Sequence, residues 1–370
     1  MSTPTFTIPR AALAKELSLL QSVAETKGTI PVLSFALFEV ANNRARITAS
    51  DMAITMTTEI ECDGSDYRGC IPLKQLTALV RLFGDEEAIQ FTVKANSRIE
   101  VRWGKSKHLL VTLPADEFPS SEIPTGAEVS IDAVQLLSML ERTAFCAGQP
   151  GEGLQFAFEC ISLEVAGKEL TLAATNSRQF GATTCAIDSE AEFTALVPIR
   201  SVPALVKLCE GEGAVTITAD DNHALFQCGT RALTTRLVAG IFPNWRLAMP
   251  VSLDHQLTID PERLALSLKR ACVTTREAKM IRMPLSLSFT QSLLQITSSS
   301  EDGESSDEVA INCATLNGDA LPIRVNAENI LNFVSHTEGQ VRVQFSNEAR
   351  LLQLGIEGDE SYRYITMALR

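Results

Sequence analysis

The sequence is poor in the residues that most often carry out chemistry. Four histidines stand in 370 residues (His108, His223, His255 and His336), and none has a second His or Cys at metal-ligand spacing. They read as surface or packing residues. The nine cysteines are odd in number, are scattered from Cys62 to Cys313 and contain no C-x-x-C pair. That usage fits small core residues in a reducing compartment better than a disulfide framework. No run approaches the roughly 18 apolar residues of a membrane span, and the opening residues lack the basic end, apolar run and cleavage site of an export signal. The chain is expected to be soluble, unexported and without a membrane partner. Basic residues are also short, 32 Lys and Arg against 45 Asp and Glu for a net charge of −13. Taken alone, that balance argues against nucleic acid.

Phosphate-cradling glycine loops are missing too. Gly104-Lys105-Ser106 ends like one, but Ile99 stands where its first glycine belongs. Gly211-Glu212-Gly213 and Gly151-Glu152-Gly153 begin like a dinucleotide fingerprint, yet Thr216 and Phe156 occupy the third glycine position, so both read as turns. The acidic run from Glu301 to Glu308 lacks the ligand order and closing glutamate of a calcium loop and reads as a solvated hairpin tip. No catalytic residue, metal or cofactor is expected. An enzyme built on a carboxylate site without a motif is the alternative from another class.

What the sequence does contain is ordinary globular material, 45% hydrophobic and 21% charged, in a length suited to two or three domains. It also contains a repeat. Thr7-Ile8-Pro9, Ser130-Ile131-Asp132 and Thr258-Ile259-Asp260 each place a short strand before a helix start. Behind them Leu13, Leu17 and Leu20 align with Leu136, Leu140 and Thr143, then with Leu264, Leu268 and Ala271, the i, i+4, i+7 face of one helix. A second register aligns Leu76, Leu79, Val80 and Phe83 with Val202, Leu205, Val206 and Cys209 and with Ala327, Ile330, Leu331 and Val334. Alternating strands follow each of these helices. Phe118-Pro119 and Phe242-Pro243 close the first two blocks alike. The blocks span about 1–125, 126–254 and 255–370, each holding two strand-helix-strand halves, an α+β arrangement with helices on one face of antiparallel sheets.

Charge is unevenly spread over this pattern. The six expected helices (9–27, 72–84, 131–145, 198–210, 261–282 and 323–335) hold 15 Lys and Arg against 8 Asp and Glu, while the remainder of the chain carries −20. Positive helices touching phosphates without reading bases would bind nucleic acid salt-sensitively and without sequence preference. Lys and Arg favoured by helix C-termini are the plainer account of the same count.

Several motifs resemble one family over the whole chain. Block one has Ile30-Pro31-Val32-Leu33-Ser34, Thr48-Ala49-Ser50-Asp51 and Leu113-Pro114-Ala115-Asp116-Glu117-Phe118-Pro119. Block two has Ala174-Thr175-Asn176-Ser177-Arg178 and Phe242-Pro243-Asn244-Trp245-Arg246, and the end is Tyr364-Ile365-Thr366-Met367-Ala368-Leu369-Arg370. In order and spacing these resemble the bacterial sliding clamps, the beta subunits of DNA polymerase III. The resemblance implies three tandem DNA-clamp (processivity-fold) domains in a head-to-tail homodimeric ring, with helices lining the hole and sheets outside. Double-stranded DNA would pass through unread. It implies a non-catalytic cytoplasmic, nucleoid-associated protein that holds the polymerase III alpha subunit, the clamp loader, other polymerases and repair proteins by their clamp-binding peptides.

Residue by residue, the resemblance implies a peptide pocket at Phe158, Thr175, Ser177, Arg178, Phe180, Pro243, Leu247, Ala248, Ile365, Met367, Ala368, Leu369 and Arg370. DNA-facing positions are Lys27, Lys74, Arg142, Gln149 and Arg200, and the dimer seam holds His108, Leu110, Val273 and Thr274. The chain departs from many relatives, which carry Gly-His-Arg at Ser177-Arg178-Gln179 and proline at Ala368. Tyrosines common before Phe158 are replaced by Phe156 and Ala157. Polar His108 and Thr274 at the seam lead to the expectation of a looser dimer than average. A monomeric clamp-like adaptor that binds peptides without ring closure is the alternative within the family.

Overall fold

The computed structural model describes residues 4–24, 30–84, 88–151, 156–210, 213–250, 253–273, 283–300, 303–316, 322–346 and 351–369. The first block runs β1 (Thr5–Pro9), α1 (Arg10–Leu20), β2 (Phe35–Ala41), β3 (Arg44–Ser50), β4 (Ile54–Glu61), β5 (Asp63–Gly64), β6 (Tyr67–Pro72), α2 (Leu73–Leu82), β7 (Ala88–Lys94), β8 (Arg98–Trp103) and β9 (Ser106–Val111). The second runs β10 (Ala127–Asp132), α3 (Ala133–Thr143), β11 (Cys160–Ala166), β12 (Glu169–Thr175), β13 (Gln179–Ala186), β14 (Phe193–Pro198), α4 (Val202–Cys209), β15 (Ala214–Ala219), β16 (His223–Cys228) and β17 (Arg231–Arg236). The third runs β18 (His255–Ile259), α5 (Pro261–Ala271), β19 (Pro284–Phe289), β20 (Leu293–Ser300), β21 (Gly303–Ala310), β22 (Asn312–Thr315), β23 (Ile323–Asn326), α6 (Ala327–Ser335), β24 (Val341–Phe345), β25 (Leu351–Ile356) and β26 (Asp359–Met367).

The repeat organises the pairing. In each block the opening strand lies antiparallel to the strand that follows the second helix, β1 on β7, β10 on β15 and β18 on β24. The helix faces read from the sequence are the buried ones. Leu13, Leu17 and Leu20, then Leu136, Leu140 and Thr143, then Leu264, Leu268 and Ala271 are each at most 2% exposed. Local chemistry sets the helix starts. Asp260 Oδ1 accepts from Arg263 N at 2.9 Å with Pro261 in the first turn, and Asp132 Oδ1 accepts from Val134 N at 2.9 Å. The helices are shorter than the apolar pattern suggests. Residues 323–326 are the strand β23, paired with β19, because Ile323-Arg324-Val325-Asn326 alternates with period two before the helix begins. The acidic run also differs from expectation. Gly303 to Glu308 belong to β21, paired along its length with β20, and Glu301 and Asp302 lie outside the described residues. Gly104-Lys105 is the tight turn between β8 and β9, with Gly104 at φ +55°.

Compactness divides the chain in two, and the division does not follow the repeat boundaries. One unit comprises 1–137 and 187–238, the other 138–186 and 239–370. The reason lies in two strand pairings that cross from block to block. In the first unit β17 of block two pairs with β4 of block one, giving the order β10-β15-β16-β17-β4-β3-β2-β6. In the second, β26 of block three pairs with β13 of block two, giving the order β11-β12-β13-β26-β25-β24-β18-β22. The sheets therefore run without a break across the repeat junctions. Smaller sheets complete each unit, β5-β1-β7-β8-β9 in the first and β21-β20-β19-β23 in the second.

Each junction carries an ion pair between the block's first helix and the crossing strand. In the first unit Arg231, the opening residue of β17, forks onto Glu16 of α1 at 2.6 and 3.0 Å, and Thr58 donates to the same carboxylate at 2.7 Å. The pair is nearly enclosed, 11% and 9% exposed. In the second unit Asp359, the opening residue of β26, meets Arg142 of α3 at 2.9 Å. Arg142 also lies over the Tyr362 ring, 5.2 Å from its centre. Burial raises the Asp359 carboxyl, but hydrogen bonds from Ser361 and the charge of Arg142 outweigh it and hold the group below its usual range.

Cysteines follow the expected core role. Eight are described as free thiols, seven of them buried, and burial pushes Cys70 up to about 11 and Cys160 and Cys209 up to about 12.

Candidate functional site

The expected pocket residues cluster around one hairpin turn of the second unit. Between β12 and β13, Asn176 Oδ1 accepts from Arg178 N and Gln179 N, both at 3.1 Å. Thr175 Oγ1 accepts from Ser177 N at 3.2 Å and donates to Gln179 O at 2.7 Å. This folds Ser177 into the left-handed region at φ +69°, a conformation that favours glycine. β13 then seats closely on the end of α3, because Gly181 has no side chain. A Cβ there would lie 2.8 Å from Cys146 Sγ.

Phe180 projects from β13 into a cluster with Ala173, Ala182 and Ile365, against which Phe242, Trp245, Met249 and Leu351 pack. Trp245 stacks on Phe180 with ring centres 5.0 Å apart, and Arg246 covers the indole at 4.5 Å while forking onto Glu164 at 3.0 and 3.1 Å. The end of β26 is tied to the turn by Met367 N donating to Arg178 O at 2.8 Å, and Leu369 N donates to Arg324 O at 2.7 Å. The turn, Phe180, Ile365 and Met367 are thus brought together. Thr175 and Ile365 are buried, Ala368 and Leu369 half-buried, and Pro243, Ser177 and Arg178 exposed. Leu247 at 83% and Met367 at 45% exposure offer apolar surface to solvent. Phe158 is half-buried and accepts from Gly148 N at 2.7 Å, but it is not a member of the Phe180 cluster. Nothing is described of the Ala248 side chain, and Arg370 lies outside the described residues. Trp245, Phe242 and Met249 were absent from the sequence reading of the pocket. Their signal was the Phe-Pro-Asn-Trp-Arg run, from which only Pro243 was drawn.

The helix cations divide into two groups. Five are spent as links within the fold. Arg10 donates to Val80 O, Arg81 to Gln21, Lys207 to Ser18 O, Arg142 to Asp359 and Arg270 to Asp307. Lys15, Lys74, Arg263 and Lys269 remain exposed, as do Arg200 just before α4 and Gln149 after α3. Among the DNA-facing candidates, Arg142 is therefore half-buried in an ion pair, Lys74, Gln149 and Arg200 stand in solvent, and Lys27 lies outside the described residues.

At the expected seam, alternation along β9 turns Leu110 inward, 8% exposed, and His108 on the same face lies 5.8 Å from the Phe83 ring. The apolar side chains that β9 shows to solvent are its neighbours Leu109 and Val111. Val273 is exposed just past α5, and Thr274 lies outside the described residues.

No described helix is long and apolar enough to cross a membrane. Among the described residues no group of three His, Cys, Asp or Glu is placed to hold a metal ion.

Comparison with known proteins agrees with this geometry. Residues 4–123 match the model of the DNA polymerase III beta subunit N-terminal domain, and residues 130–244 that of its central domain. The beta sliding clamp of Pseudomonas putida is 26% identical over 98% of this chain and 100% of its own, and that of Pseudomonas aeruginosa 27% identical over the same shares. The solved Pseudomonas aeruginosa sliding clamp bound to griselimycin superposes with a TM-score of 0.93 at 25% identity, covering all of both chains. The Bacillus subtilis clamp, at 19% identity, shares the fold with a TM-score of 0.92. The two family models and the near-complete coverage of the relatives agree, and the chain belongs to the DNA polymerase III beta-subunit family, the beta sliding clamps.

Proposed function

We propose that this chain is a non-catalytic DNA sliding clamp, three domains at about 1–125, 126–254 and 255–370 per chain, closed with a second copy head to tail around double-stranded DNA. One observation carries the ring. At both internal junctions the last strand of one block pairs with the third strand after the first helix of the block before it, β17 with β4 and β26 with β13. The equivalent strands left without such a mate are β9 and β21, each at the edge of its sheet. A heterologous contact of β9 on β21 of a second copy continues the same rule and closes by rotation. Carrying over the register of the first junction sets Lys107 opposite Ser306, with Glu304 and Glu308 as its diagonal neighbours. Val273 at the end of α5 supplies exposed apolar surface at this seam, and Leu109 and Val111 supply more on the outward face of β9.

A closed ring cannot leave DNA sideways. A polymerase held on it by a short peptide therefore stays at high effective concentration at the primer end. Exposed helix cations such as Lys74 and Arg200 favour phosphates without reading bases, and salt weakens that contact enough for movement along the duplex. The acidic balance of the rest of the chain discourages DNA from adhering elsewhere. Peptides of the polymerase III alpha subunit, the clamp loader, other polymerases and repair proteins dock on the Phe180 and Met367 pocket, where a few apolar anchors supply most of the affinity. The setting is the bacterial cytoplasm at the nucleoid.

The test is retention on nicked circular DNA before and after linearisation, with mass measured by light scattering in the same buffer. A dimer that stays on the circle and runs off cut ends is the expected result. A single chain whose retention is unaffected by cutting would leave a clamp-like peptide adaptor instead.

A further inference from the structure

The turn that builds the peptide pocket occurs a second time, 125 residues earlier, in the first unit. Asp51 Oδ1 accepts from Ala53 N and Ile54 N at 2.9 and 2.6 Å, as Asn176 does from Arg178 and Gln179. Ser50 Oγ accepts from Met52 N at 3.0 Å and lies 3.2 Å from Ile54 O, in the manner of Thr175. Met52 takes the left-handed conformation at φ +74°, against +69° at Ser177. The crossing strand is pinned at the same points. Arg236 N donates to Ala53 O at 2.8 Å and Val238 N to Leu196 O at 2.9 Å, where Met367 N donates to Arg178 O and Leu369 N to Arg324 O. Thr55 faces Thr234 across the strands as Phe180 faces Ile365.

The backbone frame is thus duplicated while its side chains are not. Thr55 stands for Phe180, Thr234 for Ile365 and Arg236 for Met367, and Ser121 stands two residues after Pro119 as Trp245 stands two after Pro243. Where the second unit has an apolar cluster, the first has a cleft of about 400 Å³ lined by hydroxyls and Arg236. Glu122, the carboxylate among the lining residues, is 3.6 Å from His223 Nδ1. The Arg236 guanidinium is exposed and makes no ion pair or hydrogen bond among the described residues.

We propose that this cleft is a second peptide-docking site, which takes an extended segment carrying an acidic side chain on Arg236. The inference rests on the reading of the Phe180 and Met367 pocket as a peptide site. The same left-handed turn and pinned crossing strand frame both places, and the residue at the Met367 position decides whether the anchor is aliphatic or anionic. A clamp with both sites would engage two partner segments of different chemistry on one chain.

Two capped heptapeptides test it on the full-length protein by amide NMR, Gly-Ser-Asp-Ser-Asp-Ser-Gly and Gly-Ser-Leu-Ser-Leu-Phe-Gly, with inorganic phosphate as the control anion. The acidic peptide is expected to shift amides at 50–55, 120–122 and 234–236, and Arg236→Met to weaken that binding at least tenfold while Met367→Ala leaves it unchanged. Thr55→Phe with Thr234→Ile and Arg236→Met is expected to raise binding of the apolar peptide from one to two per chain by calorimetry. Shifts produced equally by phosphate, no shifts at 234–236, or undiminished binding by Arg236→Met would each overturn the proposal, the last even if the triple variant does not fold. Failure of the apolar peptide to shift 175–180 and 365–369 in the unaltered protein would overturn the underlying pocket reading, and it is read from a separate set of amides.

Discussion

Replacing Arg231 by methionine removes the cation from the nearly enclosed pair at the first junction. Glu16 then keeps a single side-chain donor, Thr58 Oγ1 at 2.7 Å, in surroundings where it is 9% exposed. Breaking a buried ion pair from one side costs about 3–5 kcal/mol. The retained hydroxyl and the slight exposure place this case at the lower end, about 3 kcal/mol, or roughly a 150-fold shift of the unfolding equilibrium at 1.4 kcal/mol per decade. The companion change Glu16→Leu with Arg231→Met removes both charges and should return to within about 1 kcal/mol of the parent, because well-packed apolar replacements of buried pairs are often neutral. The assay is urea unfolding by tryptophan fluorescence. The chain has two tryptophans, Trp103 in the first unit and Trp245 in the second. In a Trp245→Phe background the signal reports the first unit, and in a Trp103→Phe background the second. The first transition should move to lower urea and the second should not. A loss under about 1 kcal/mol, or a double variant as unstable as the single one, would refute the account of the pair as an enclosed charge couple.

The remaining predictions concern the other sites. Ser177→Gly should stabilise the second unit by up to about 1 kcal/mol, since glycine takes the left-handed conformation without a Cβ penalty; the Trp245 urea midpoint measures it. Lys107→Glu should raise the dimer dissociation constant at least tenfold in sedimentation velocity, and Glu304→Lys in the same chain should recover part of the loss. A sub-nanomolar constant for the unaltered protein would contradict the expectation of a looser dimer than average. Met367→Ala should weaken an apolar clamp-binding peptide more than tenfold in fluorescence anisotropy, with no change in the Trp103 unfolding transition. Asp359 is held below its usual range when folded, so the unfolded chain binds that proton more readily. Its contribution is present above the unfolded value of about 4 and is lost as pH falls through it toward the folded value. Asp359→Asn should therefore flatten the acid limb of the second unit's stability profile.

The helix faces were legible because helical burial repeats every three to four residues, and every position read as apolar on the first-helix face is buried. The ends were less so. Ile323 to Asn326 carry apolar residues that serve either a helix or a strand, and the pairing with β19 decides. The turn at Asn176 and the Phe180 cluster could be placed from motifs, but Trp245 completes that cluster through a stack between segments far apart in sequence. At the proposed seam Leu110 faces inward, because strand alternation allots outward places to Leu109 and Val111. The gathering of the chain into two compact units that cut across the repeat could not be read at all. Nothing in the composition of β4 or β13 announces that each takes its neighbour from the following block.

The two junction ion pairs have opposite polarity. Glu16 on the helix meets Arg231 on the crossing strand, whereas Arg142 on the helix meets Asp359 on the strand, although Arg231 and Asp359 open equivalent strands. Three similar blocks in one chain are exposed to misassembly, in which a strand docks on the wrong copy of its acceptor. In the shared register Arg231 of β17 stands where Tyr362 of β26 does, opposite Thr58 and Thr183, so β26 placed on block one would leave Glu16 without its cation, and β17 placed on block two would leave Arg142 without its carboxylate. Half-enclosed charges left without partners make both arrangements costly. The charges thus number the blocks, so that a repetitive chain assembles in one order.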